Sequence, residues 1–96
     1  MAYLTIARLL GEPDAMVAGY RRQSALMTEV GRDHGLLVHA AARTGEGLLV
    51  VNLWPGREGS EAASRDPRRL GAVRGEGLMP ARMLREHFEV EDFTVF

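Results

Sequence analysis

The chain has 96 residues, 46% of them hydrophobic and 26% charged, with a formal net charge of −1; this is the make-up of one small globular domain spanning 1–96. It holds no cysteine and no lysine, which excludes disulfides, thiolate metal centres, cysteine nucleophiles, Schiff-base lysines and phosphate-loop lysines. The near-neutral charge gives no electrostatic footing for nucleic acid or an anionic membrane.

The first element expected is a strand. Residues 2–10, AYLTIARLL, alternate β-branched, aromatic and polar side chains and stop at Gly11. Pro13 suits a first helical position, with Glu12 and Asp14 near the positive helix end. Met16, Tyr20, Met27 and Val30 then recur at helical spacing, interrupted by Gln23 and Ser24, and GRDHG (31–35) supplies stop signals. Two apolar runs follow, LLVHAAAR (36–43) and LLVVNLW (48–54), separated by TGEG (44–47). Gly45 and Gly47 can take positive φ, so the expectation is a hairpin with a four-residue loop.

Ser60 is the expected N-cap of a helix over EAASRD, which Pro67 kinks or restarts as PRRLGAVR. GEGLMP reads as a loop, PARMLREHF (80–88) as a short third helical piece, and EVEDFTVF (89–96) as a closing strand. The order is βαββαβ with a broken second helix. That is the α+β ferredoxin-like arrangement, an antiparallel four-stranded sheet with helices on one face. The bare face needs a cover, and a second copy of the chain is the simplest one, since so short a chain buries only a thin core.

Alternation divides the hairpin residues between two faces. Leu36, Val38, Ala40 and Ala42 share one face with Leu49, Val51 and Leu53. These apolar sets are expected beneath the helices. His39, Arg43, Asn52 and Trp54, joined by Tyr3, Thr5 and Ala7 of the first strand, are then expected on the helix-free face. Polar groups facing a covered surface are costly unless satisfied or used, so a pocket between sheet and partner is the expectation.

The βαββαβ order, the chain length and the stretch VVNLWPGREGSEAA, a strand ending in tryptophan followed by a short break and a helix, resemble the dimeric α/β-barrel superfamily. The likeness is to its small antibiotic-biosynthesis-monooxygenase-like proteins. It implies a homodimer through the helix-free sheet face and a small aromatic ligand. It also implies cofactor-independent oxygenation of an aromatic polyketide- or quinol-like substrate, in which the substrate's own carbanion reduces oxygen. Trp54 matches the family's strand-three tryptophan. The family's oxygenases and haem degraders place an asparagine on the first strand, which residues 2–10 lack, and Asn52 would have to fill that role from the third. Its haem degraders carry a histidine on the helix after the tryptophan, and residues 57–74 have none, so haem chemistry is not expected.

The candidate residues each have two readings. Trp54 and Tyr3 either hold an aromatic ring or fill space. His39 is a general base or a hydrogen-bonded core residue, since imidazole titrates near neutrality. Asn52 steadies an enolate or pairs with a partner backbone. Arg43 binds substrate or is a solvated charge. His34 and His87 read as structural, and the RDPRRLGAVR segment as a solvated face. No histidine spacing suggests a metal site, and no cofactor is expected. A non-catalytic ligand-binding or structural barrel is the alternative; an oxygen-free isomerase or cyclase is a third. The N-terminus has no basic segment ahead of its apolar run and no stretch approaches the ~20 apolar residues of a membrane span, so a cytoplasmic protein is expected.

Overall fold

A computed structural model of the chain describes residues 1–75 and 82–96 and the side chains of all of these except 73–75. Strand β1 (Tyr3–Leu10) leads into helix α1 (Pro13–Asp33), followed by β2 (Val38–Thr44) and β3 (Gly47–Trp54). Two short helices, α2 (Arg57–Ser64) and α3 (Pro67–Gly75), then precede β4 (Arg82–Glu89). The four strands form one antiparallel sheet in the order β2-β3-β1-β4. β3 lies between β1 and β2, so α1 crosses over a split βαβ unit, as the ferredoxin-like expectation requires. No described helix is long and apolar enough to cross a membrane.

The ends of α1 are set by local chemistry. Pro13 occupies its first turn, and the Glu12 carboxylate accepts from the backbone N–H groups of Asp14 and Ala15 at 3.2 and 2.7 Å, satisfying donors that have no partner within the helix. His34 caps the other end, and Gly35 follows at φ 84°. The hairpin loop is tighter than the expected four residues: Thr44 pairs with Gly47, leaving Gly45 and Glu46 as the turn. Of the two glycines only Gly47 needs its freedom, at φ 148°. A Cβ there would stand 1.9 Å from the carbonyl oxygen of Leu9. Gly47→Ala is therefore expected to cost about 1–3 kcal/mol in backbone strain, with steric displacement of β1 added, read from the urea midpoint.

Three expectations are corrected. Helix α2 starts at Arg57 behind Gly56, whose extended backbone begins the helix, so Ser60 lies inside α2 and is not its N-cap. The segment expected as a third helix is strand β4, paired along its whole length with β1 from Tyr3↔Glu89 to Leu10↔Arg82. Its Ala, Arg, Met and Leu favour helix locally, but pairing with an open sheet edge outweighs that preference. Of the tail expected as the closing strand, Glu89 ends β4 and Val90 N–H donates to the Ala2 carbonyl at 2.9 Å, and the residues beyond are not strand. The GEGLMP loop beyond Gly75, with the expected helix start at Pro80, lies outside the described residues.

The largest correction concerns the faces of the sheet. Trp54 packs with Val30 of α1 and Ala63 of α2, His39 bonds Tyr20 of α1, and Arg43 bonds Asp14 of α1. The polar and aromatic set lies beneath the helices, and the apolar set (Leu4, Ile6, Val38, Ala40, Ala42, Leu49, Val51 and Leu53) lies on the bare face. The helices themselves supply Tyr20 and Asp14, which satisfy the polar groups of the sheet. Arg8 sits on the bare face with Leu4 and Ile6, 3.6 Å from Glu86. Val38, Leu84 and Phe88 remain 44%, 39% and 47% exposed there.

One polar cluster ties the helices together. Asp66 precedes Pro67 and accepts from the Arg68 backbone N–H at 2.9 Å, which makes it the cap of α3. The same carboxylate, 9% exposed, meets the Arg68 guanidinium at 2.8 and 3.1 Å and His34 Nε2 at 2.9 Å. Hydrogen bonds from Arg68, then from His34, hold its ionisation far below the usual carboxylate range. The charged form is thus favoured by folding, so its contribution is present above pH ~4 and is lost as the pH falls further. Asp66→Asn is expected to lower stability at pH 7 and to flatten the acid limb below pH ~4 in urea unfolding across pH 2–7.

Candidate functional site

The register draws a line of polar side chains across the sheet. His39, Asn52, Thr5 and His87 stand side by side on β2, β3, β1 and β4. The next row on the same face is Ala41, Val50, Ala7 and Arg85, and beyond it come Arg43, Leu48, Leu9 and Met83. Above these rows runs α1, whose inner stripe is Met16, Tyr20, Gln23, Met27 and Val30. Gln23 therefore belongs to the stripe it had seemed to interrupt. Between sheet and helices is a cavity of about 210 Å³, larger than the ~150 Å³ apolar cavity that accommodates benzene in another protein.

Trp54 forms part of the wall where β3 ends. It is 4% exposed, and its indole Nε1 is buried with no acceptor among the described residues. Gly59 lets α2 lie close at this point, since a Cβ there would meet the His34 carbonyl at 2.5 Å and the Trp54 ring at 3.2 Å.

His39 is held from both sides. Its Nδ1 lies 2.6 Å from Asn52 Oδ1, and its Nε2 lies 2.5 Å from the Tyr20 hydroxyl. A carbonyl oxygen only accepts, so Nδ1 carries the proton and Nε2 accepts from Tyr20. Burial pushes the Tyr20 phenol above its ordinary pKa, which keeps it a donor through the neutral range. Asn52 uses its oxygen on His39, and its Nδ2 has no partner among the described residues.

Of the residues singled out from sequence, the fold brings His39, Asn52 and Trp54 onto one cavity wall. Tyr3 packs against the Val30–Trp54–Ala63 cluster and stacks on His87, ring centroids 5.9 Å apart. Arg43 bonds Asp14 and is not part of the cavity lining. His34 caps α1 and meets Asp66. Sequence reasoning did not single out Tyr20, Arg69, Arg85 or the cavity position of His87. Tyr20 was visible as a member of the α1 stripe; the β4 residues were hidden by the helical reading of their segment. Arg69, expected on a solvated face, lines the cavity instead. No group of three or more His, Asp or Glu side chains placed to hold a metal occurs among the described residues.

The fold is similar to that of solved structures described as putative antibiotic biosynthesis monooxygenases and as dimeric ferredoxin-like proteins. Rv0793 from Mycobacterium tuberculosis superposes with a TM-score of 0.76 at 18% identity, covering 99% of this chain and 100% of that one. A dimeric ferredoxin-like protein of unknown function from Thermobifida fusca gives 0.68 at 21% identity, with 94% and 92% covered. A mutant of SnoaB, a cofactor-independent oxygenase from Streptomyces nogalater, gives 0.67 at 14% identity, with 96% and 93% covered. At these identities the likeness is one of fold. No family model matches the sequence, and no curated protein matches it significantly.

Proposed function

We propose that the cavity takes a small, flat aromatic molecule of the anthrone or quinol kind and that the protein oxygenates it without an organic cofactor or a metal. The observation that carries this reading is the Asn52–His39–Tyr20 chain set into an otherwise largely apolar cavity. Such a chain can move one proton and steady one oxyanion, which is all that a substrate able to reduce oxygen itself requires.

His39 has both ring nitrogens engaged, so the proton acceptor that meets the substrate is the Tyr20 oxygen. The substrate C–H proton passes to Tyr20 Oη as the phenolic proton passes to His39 Nε2. The electron pair stays on the ring system as an enolate, whose oxygen accepts from Asn52 Nδ2. One electron passes to O2, the carbon radical and superoxide combine to a peroxide, and the stored proton returns to it. Loss of water leaves a carbonyl, so that CH2 + O2 gives C=O + H2O. Tyr3 supports Trp54 from the side, and Arg43 fixes α1 to β2 through Asp14. The bare apolar face supports a homodimer, as in the dimeric neighbours of this fold.

The test is oxygen uptake with dithranol and a panel of naphthols, on protein treated with chelator and freed of flavin. Uptake above the autoxidation background, with the quinone as product, is expected. Binding of the panel without uptake favours a non-catalytic ligand-binding module, for which the fully engaged His39 is the supporting observation. Absence of both binding and uptake would contradict the pocket reading.

A further inference from the structure

The charges of the cavity are one-sided. Arg69 from α3 and Arg85 from β4 are part of its lining, and no aspartate or glutamate among the described residues is. Elsewhere Arg8, Arg43, Arg57 and Arg68 each have a carboxylate partner. Arg69 instead donates to the Ser64 carbonyl at 3.3 Å and Arg85 to the Met83 sulfur at 3.0 Å, and neither meets a carboxylate among the described residues. Burial, and then the like charge of Arg85, disfavour the charged form of Arg69. Arg69, half-buried beside the like charge of the exposed Arg85, loses hydration with no counter-ion among the described residues, a cost that a bound anion would offset.

We infer that Arg69 and Arg85 form a subsite for a carboxylate carried by the aromatic ligand. The inference rests on the reading of the cavity as an aromatic pocket and adds a charge requirement to it. The geometry also sets the orientation. β4 is two strand spacings from β3, so the carboxylate would be held roughly 10 Å across the sheet from Asn52. The ligand is therefore an aromatic acid lying across β1, its acid end at β4 and α3 and its reacting end at β3. Guanidinium groups suit this task because they engage carboxylates with directed, charge-assisted hydrogen bonds.

The experiment is calorimetric titration with naphthalene-2-carboxylate and with naphthalene-2-carboxamide, two probes of one shape that differ in charge. The carboxylate is expected to bind about tenfold or more tighter, with a preference that shrinks as salt is raised. Arg69→Gln and Arg85→Gln are each expected to reduce that preference while leaving amide binding within about twofold. The amide thereby reports whether the pocket is intact in each variant. Equal affinity of the wild type for the two probes, or a preference unchanged in both variants, would overturn the subsite and leave the pocket standing. Binding of neither probe would overturn both.

Discussion

Replacing Trp54 with alanine is expected to destabilise the protein by about 3–5 kcal/mol, a large part of the roughly 5–15 kcal/mol that holds a domain together. The side chain is 4% exposed and joins Val30, Ala63, Tyr3 and Leu36 in one cluster. It is the contact through which the end of β3 meets both α1 and α2, so its removal opens a void where three elements converge. Trp54→Phe is expected to cost less. It keeps most of the apolar contact and removes an indole N–H that has no acceptor among the described residues, an unmade bond that costs roughly 1–3 kcal/mol. Urea unfolding followed by circular dichroism measures both variants, since the sole tryptophan is itself the residue changed. A loss below about 1 kcal/mol for the alanine variant would mean that Trp54 does not organise this core.

The second large effect is on chemistry. If Tyr20 and His39 pass one proton between them, removing either breaks the same step. Tyr20→Phe and His39→Ala are each expected to lower cofactor-free oxygen uptake by about 10²–10⁴. The double variant should be no slower than the slower single one, because groups that act as a unit are not additive. Fold stability gives the control: His39 is exposed on the edge strand β2, so losing its two hydrogen bonds is expected to cost only about 1–2 kcal/mol and to leave the chain folded. Additive losses from the two single variants would separate Tyr20 from His39 and contradict the relay.

Much of the fold was legible because its signals are local. Pro13 and the acidic residues beside it mark the start of α1, the Met16–Tyr20–Met27–Val30 spacing marks its inner face, and the two apolar runs around TGEG mark the hairpin. β4 was not legible. Met83, Arg85 and His87 alternate with Leu84, Glu86 and Phe88, but each of these residues also tolerates a helix, and what settles the matter is the pairing with β1, a contact between residues some eighty positions apart.

The site was legible in part. His39, Asn52 and Trp54 share a face by alternation alone, and the structure keeps them together. Which face that is depends on what lies over it. A purely apolar strand set looks like the inside of a core, and that pattern suggests helices above it. Here the helices bring Tyr20, Gln23, Asp14 and Arg69 toward the sheet, so the polar side is satisfied within the chain and the apolar side is left bare. The clue was present in α1, where Gln23 falls on the apolar stripe. A helix that carries polar groups on its inner face faces polar groups or a cavity, and here it faces both.

The most direct test of the site is a ¹⁵N–¹H NMR titration of the protein with 2-naphthol, following the Trp54 indole N–H signal with the backbone amides. A saturable shift of the indole signal is expected, accompanied by shifts along the inner stripe of α1 at Met16, Tyr20, Gln23 and Met27 and in β3 at Asn52. Shifts confined to the bare-face residues Leu4, Ile6, Val51 and Leu84, with the indole signal unmoved, would contradict it.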